Sequence, residues 1–301
     1  MTTRIGIDIG GTKTHAVAMA DDGTITSEVT EATPRGPVAL LEGIRRAVGE
    51  LSRATGTRVG DIASVGIGIP GQVDVASGTV RQAINLRLTE WHVADAVHDA
   101  IGIRPDVDND VNAAALGARA LMGVDGSMAF LNLGTGVAAG IHLNGALVRG
   151  SGGAAGEIGH VSIDPAGPLC DCGQYGCIEA FAGGAALARS APRGSEHPVR
   201  DIFDAADAGQ RDAVAVRDGF ARGVAGAVRV LMLTVDVDRI IIGGGITALG
   251  ERAEQAVRRA LDASVEPSAF LRSLRLEDRI SFLPTALRAP AVGAALLYEA
   301  G

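Results

Sequence analysis

The sequence predicts an α/β protein built from two similar lobes, and three observations carry that expectation. At 301 residues the chain passes the size at which a single hydrophobic core usually stops growing. Two distant stretches repeat one plan: strand, glycine-threonine turn, strand, Xaa-Gly hairpin, strand. A third glycine cluster joins an apolar strand to a helix, the local pattern of a strand–helix layer.

In the first stretch, Arg4–Ile9 alternates as a buried strand does, and Gly10-Gly11-Thr12 makes a tight turn. A second strand follows from Lys13 to Met19, Asp22-Gly23 signals a hairpin, and Thr24–Val29 forms a third strand. The second stretch has an apolar strand from Ser127 to Leu133, the turn Gly134-Thr135-Gly136 and a strand Val137–Leu143. Asn144-Gly145 turns again, and Ala146–Arg149 closes the plan. Such self-similarity marks an internal duplication, with a period far too long for a solenoid. Two alike lobes facing one another would bring both turns to one cleft, where bare backbone N–H groups make concave anion sites. Either turn alone would be an ordinary hairpin; the repetition points to phosphate.

No G-x-x-x-x-G-K-[ST] loop exists in the chain. A dinucleotide-binding fold needs its glycines to open a helix, whereas a strand follows each of these turns. Gly243-Gly244-Gly245 differs: it follows the strand Arg239–Ile242, between an apolar helix from about Arg217 to Leu233 and another that includes Arg252–Leu261. Glycine there lets a flat base or ribose approach the backbone.

Asp106-Val107-Asp108-Asn109-Asp110 precedes Asn112 and a helix of small residues, Ala113–Leu121. A calcium loop is excluded, because the sixth and twelfth places hold Val111 and Gly117 rather than Gly and Glu. Asp106 and Asp108 read as a solvated, helix-capping turn. Asp110, at the strand end before the helix, is placed to aim a carboxylate into a cleft. Gly156-Glu157-Ile158-Gly159-His160 is followed by the cluster Cys170, Cys172 and Cys177. Three thiolates and one imidazole make a closed tetrahedral zinc site, with no position left for a catalytic water. A Cys170–Cys172 bridge would close a small, strained ring. Zinc is expected to anchor the segment that carries Glu157 and Glu179.

Composition narrows the function classes. Aromatics are only 3% and the formal charge is −8, which disfavours both base stacking and phosphate-backbone binding by nucleic-acid partners. No apolar run reaches membrane-spanning length, since Arg229 and Asp236 interrupt the best one. Clustered, odd-numbered cysteines and the lack of a leader pattern lead to an expected cytoplasmic location. Among 27 basic residues Lys13 is the sole lysine, and it stands in the first glycine turn. A compact ammonium suits that place better than a guanidinium.

Together these residues resemble the ROK family (repressors, open reading frames and kinases), close to its bacterial glucokinase branch. The matching pieces are D-x-G-G-T-K at Asp8–Lys13, G-x-G-x-P-G at Gly66–Gly71 and N-D-x-N at Asn109–Asn112. They continue as L-G-T-G at Leu133–Gly136, G-E-x-G-H at Gly156–His160 and C-x-C-G-x-x-G-C-x-E at Cys170–Glu179. The resemblance implies a two-lobed actin-like ATPase fold of the ribonuclease H-like type. Residues 1–117 would form the smaller lobe, with 288–301 packing back on it and a final helix Ala291–Glu299. Residues 118–287 would form the larger lobe.

It also implies an ATP-dependent sugar kinase. Asp110 would take the proton of a hexose primary hydroxyl, and Asn109 would orient the ring. Glu157, His160 and Glu179 would hydrogen-bond other hydroxyls, His160 also serving as a zinc ligand; Gly71 and Asn85 would complete the pocket. Gly11, Thr12, Lys13, Thr135 and Gly136 would surround the ATP phosphates, Gly244 and Gly245 the adenosine, and Asp8 would help place Mg²⁺. One departure is visible: Ala118 follows Gly117 where many relatives carry Glu. Glucose is the expected substrate, with N-acetylmannosamine, N-acetylglucosamine, mannose and fructose as alternatives, polyphosphate as an alternative donor, and a homodimer or homotetramer as the assembly. The family's repressors add a helix-turn-helix domain in front, and the phosphate motif starting at Asp8 leaves no room for one. A sugar sensor without activity would not need Asp110 and both turns.

Overall fold

The computed structural model describes residues 2–299, which fall into two compact units. The first runs through Asp125 and takes in Gly145–Ala154 and the stretch from Arg288. Its sheet has the order Ile25–Ala32, Lys13–Ala20, Thr3–Ile9, Ile62–Ile69, Asp106–Asn109. The first two pairings are antiparallel and the last two parallel. The outer strand alternates between partly buried and exposed residues, with Thr26, Glu28 and Thr30 outward, as an edge strand with one covered face must. Helix Pro37–Thr55 starts on proline and ends at left-handed Gly56. Its stripe Leu40, Ile44, Ala47, Val48 and Leu51 shares a core with Ile5, Ile7, Val65 and Ile67. A small antiparallel sheet of Gln72–Asp74, Thr79–Ala83 and Leu88–His92 follows strand Ile62–Ile69.

The second unit spans Gly126–Asn144 and Ala155–Leu287. Val137–Leu143 pairs antiparallel with Met128–Leu133, which pairs parallel with Arg239–Gly243 and, beyond it, Ile280–Phe282. Strand Arg239–Gly243 is buried on both faces at Ile240, Ile241 and Ile242, which is why it reads as a continuous apolar run. The long helix Arg211–Thr234 packs on Glu251–Val265, and its Phe220 meets Phe203 edge-on at 5.7 Å between ring centroids.

The strand–turn–strand part of the repeated plan is present in each unit, and the third strand differs between the two copies. The first unit's third strand has eight residues, but the expected strand Ala146–Arg149 shortens to Ala146–Leu147. Arg149 lies beyond the paired residues, and its guanidinium bonds Asp108. The expected division after residue 117 is also corrected, since it would cut the continuous helix Asp110–Leu121. The first unit therefore extends through Asp125, and the two units are close to equal in length. The final helix spans Ala289–Ala295, followed by a single 3₁₀ turn Leu297–Glu299; it packs on helix Asp110–Leu121 and strands Thr3–Ile9 and Ile62–Ile69. Residues 1, 300 and 301 of the expected lobe boundaries lie outside the described residues. Among the described residues no helix is long and apolar enough to cross a membrane.

Candidate active site

In the first unit the glycine turn is closed by the Gly10 N–H donating to the Lys13 carbonyl at 3.0 Å. Gly11, Thr12 and Lys13 are exposed on it. Asp8 sits two residues before Gly10, next to last in its strand, only partly exposed. Burial and then the charge of Asp110 push its carboxyl up to about 8. The structure thus brings Asp8 and Asp110 together. In the absence of a cation, the unfolded chain ionises Asp8 near 3.8 and the folded chain near about 8. Folding stability therefore falls as pH rises through that window. Asp8→Asn is expected to stabilise the magnesium-free protein at neutral pH, with the gain fading towards about pH 4. Thermal melts between those pH values check this; a pH-independent difference contradicts it.

Asp110 is the first residue of helix Asp110–Leu121, rather than a strand-end residue ahead of a helix starting at Ala113. Asn109 caps that helix: its Oδ1 accepts from the Val111 N–H at 2.9 Å, and its Nδ2 donates to the Gly71 carbonyl at 3.1 Å. One side chain thus joins Gly71 to the residue beside Asp110. Asn85 is exposed beside the glycine turn, where a side chain at position 11 would meet its Cβ at 3.8 Å. Asp108 corrects the reading of a solvated turn. It is 2% exposed and accepts from Arg149 Nε at 2.8 Å and Asn112 Nδ2 at 2.9 Å. Asp106 alone of that turn's acids is exposed.

In the second unit the turn Gly134-Thr135-Gly136 is held from both sides. The Gly134 N–H donates to the Gly136 carbonyl at 3.1 Å, while Gly184 and Ala185 donate to the carbonyls of Gly134 and Thr135. Glu179 accepts from the Val137 N–H at 2.8 Å, and its carboxylate occupies the space into which a side chain at Gly136 would project. Gly244 has φ +95°, and a Cβ there would meet the Leu133 carbonyl group at 2.5 Å and Asn132 Oδ1 at 2.7 Å. Only glycine lets these two backbones approach so closely. A cavity of about 470 Å³ opens beside this contact, lined by Gly134, Thr135, Gly184, His197, Arg200 and Gly245, among others. Its size suits a nucleoside. The wall from Glu196 to Arg200 escaped sequence reading; the one available signal was Pro198, which opens a helix there.

Glu157 and His160 are exposed around the 3₁₀ turn Ile158–His160. His160, Cys170, Cys172 and Cys177 place one ligand atom each within 4.8 Å of one another. His160 Nδ1 lies 3.9 Å from Cys170 Sγ, and the Cys172 and Cys177 sulfurs are 3.6 Å apart. Burial pushes the Cys177 thiol up to about 12 and raises that of Cys170. Gln174 hydrogen bonds hold Cys172 at about 6. A bound cation is what would keep all three as thiolates at neutral pH.

A family model described as "ROK family" matches residues 4–300. Glucokinase of Streptomyces coelicolor is 34% identical over 282 residues, which cover 86% of this chain and 87% of the relative. N-acetylmannosamine kinase of Citrobacter koseri is 34% identical over 276 residues, covering 88% of this chain and 90% of the relative. Among solved structures, a ROK family glucokinase from Streptomyces griseus in complex with glucose and AMPPNP superposes with a TM-score of 0.82 at 31% identity. It covers 99% of this chain and 100% of its own. With a match of that extent, at the residues whose geometry is described above, the chain belongs to the ROK family.

Proposed function

We propose that this chain is an ATP-dependent sugar kinase that phosphorylates the primary hydroxyl of a hexose, converting glucose to glucose 6-phosphate. The observation that carries the reading is Asp110: a carboxylate at a helix N-terminus, beside Asp8, with Asn109 capping the same helix. Asp110 would accept the hydroxyl proton as the sugar oxygen bonds to the γ-phosphorus and the bond to ADP breaks. Asn109, Gly71, Asn85, Glu157, His160 and Glu179 would hold the sugar. Gly11, Thr12, Lys13, Thr135 and Gly136 would hold the phosphates, with Gly244 and Gly245 against the adenosine. The 470 Å³ cavity beside the last pair supports that assignment. Mg²⁺, when bound, supplies neutralisation of the phosphate charge, and Asp8 would help position it.

For the Cys₃His cluster we infer zinc. Tetrahedral bonds of about 2.3 Å to sulfur set neighbouring sulfurs about 3.8 Å apart. The 3.6 Å between Cys172 and Cys177 fits that spacing. We place the protein in the cytoplasm as a homodimer or homotetramer. N-acetylmannosamine is the second reading, favoured by the Citrobacter koseri relative. ADP release with glucose, mannose, fructose, N-acetylglucosamine and N-acetylmannosamine distinguishes them. The first reading expects the highest kcat/KM on glucose; a preference for an N-acetylhexosamine would transfer the assignment to the second.

A further inference from the structure

The buried Asp108 carboxylate lies two residues before the proposed base, and the residue that neutralises it comes from 41 positions away in sequence. We propose that Arg149 is a positioning residue for phosphoryl transfer, acting through Asp108 to hold the backbone that presents Asn109 and Asp110. The inference rests on the reading of Asp110 as the base.

The geometry is specific. The Asp108 side chain is 3% exposed, and a carboxylate so enclosed is costly unless paired and hydrogen-bonded. One oxygen, Oδ2, takes the Arg149 Nε–H at 2.8 Å. The other, Oδ1, accepts from the Asn109 N–H at 2.7 Å and from Asn112 Nδ2 at 2.9 Å. Oδ1 therefore ties the last strand residue to the first turn of the helix, and Asp110 stands between the two tied points. Asn109, held at its N–H, passes the constraint on through its own cap of the helix and its bond to Gly71.

The strands place a further charge nearby. Asp8 is registered with Gly68, and Gly68 with Asp108, so two acids flank one glycine across three neighbouring strand ends. With Asp110 just beyond Asp108, three carboxylates crowd the same end of the sheet. Asp110 is the charge felt by the Asp8 carboxyl, while Arg149 is the cation paired with Asp108. Without the guanidinium, Asp108 must bind a proton, admit water or move. Each outcome loosens the tie on either side of Asp110. Catalysis tolerates little of this, because a displacement near 1 Å can cost about 100-fold in rate.

The test uses the full chain, with kcat, sugar KM, ATP KM and melting temperature measured for Arg149→Met, Arg149→Lys, Asp108→Asn and the double variant Asp108→Asn/Arg149→Met. Arg149→Met is expected to lose roughly 10–100-fold in kcat, with sugar KM within about 3-fold of native. Arg149→Lys should fall between. The double variant should recover at least about 5-fold of the lost kcat, because a neutral amide no longer needs the cation and can still accept from Asn112. If Arg149→Met does not fold, the double variant against Asp108→Asn alone still decides. Native kcat in Arg149→Met, a change confined to sugar KM, or a double variant no better than Arg149→Met would each overturn the proposal. Asp110→Asn run alongside separates the two readings. A normal Asp110→Asn enzyme removes the base assignment itself, whereas an impaired one beside a normal Arg149→Met removes only the role of Arg149.

Discussion

Asn in place of Asp110 is expected to slow turnover by roughly 10²–10⁴-fold, the usual range for a lost general base. The primary hydroxyl of a hexose is too weak an acid to ionise at neutral pH, so its proton must leave as the bond to phosphorus forms. Asn keeps the size of Asp and the capacity to accept a hydrogen bond, but it cannot take a proton. Hexose and ATP should therefore still bind, and calorimetric affinities should stay within a few-fold of native. Asp8 should respond as well, since Asp110 is one of the two causes that raise its carboxyl. With that charge removed, Asp8 should ionise at lower pH. Asp106→Asn is the control, because Asp106 is the exposed acid of the same turn. Near-native turnover in the Asp110 variant, with Asp106→Asn impaired, would mean that the base has been assigned to the wrong carboxylate.

Removing the metal is expected to have the second large effect. Protein purified without chelators should carry about one zinc per chain, held by His160, Cys170, Cys172 and Cys177. Cys177 is fully buried and Cys170 nearly so. Structural zinc in zinc-finger peptides contributes about 10–16 kcal/mol of apparent binding free energy, so its loss should be felt across the second unit. Chelation should lower the melting temperature and weaken sugar binding together, because His160 is proposed both as a metal ligand and as a sugar contact. Elemental analysis finding no zinc in fully active protein would contradict this.

The strand-turn-strand plan was legible because strands and glycine turns are written in neighbouring residues. Alternation predicted Arg4–Ile9, and the structure gives Thr3–Ile9; the helix from about Arg217 to Leu233 is observed as Arg211–Thr234. The Cys₃His set was legible for a similar reason, since three of its members fall within eight residues. What was not legible depends on distant partners. Asp108 and Asp106 look alike in sequence, yet one is buried against Arg149 and the other faces solvent. No local pattern separates them, because the deciding contact is 41 residues away. The boundary placed at 117 failed for a local reason instead. Asn109 caps the helix and Asp110 begins it, so the small-residue run continues unbroken to Leu121. The cavity wall at Glu196–Arg200 was missed because it has no glycine signature and meets Gly245 only in the folded unit.

The most direct test of the account is ADP release by the native protein, with ATP and Mg²⁺, on glucose and on 6-deoxyglucose. The 6-deoxy sugar keeps the ring and every other hydroxyl but lacks the one oxygen that Asp110 is proposed to activate. The account predicts one ADP per glucose consumed, with phosphorus found on the primary oxygen of the product, and no release above the sugar-free rate with 6-deoxyglucose. Equal ADP release with both sugars, or none with any hexose, would contradict it.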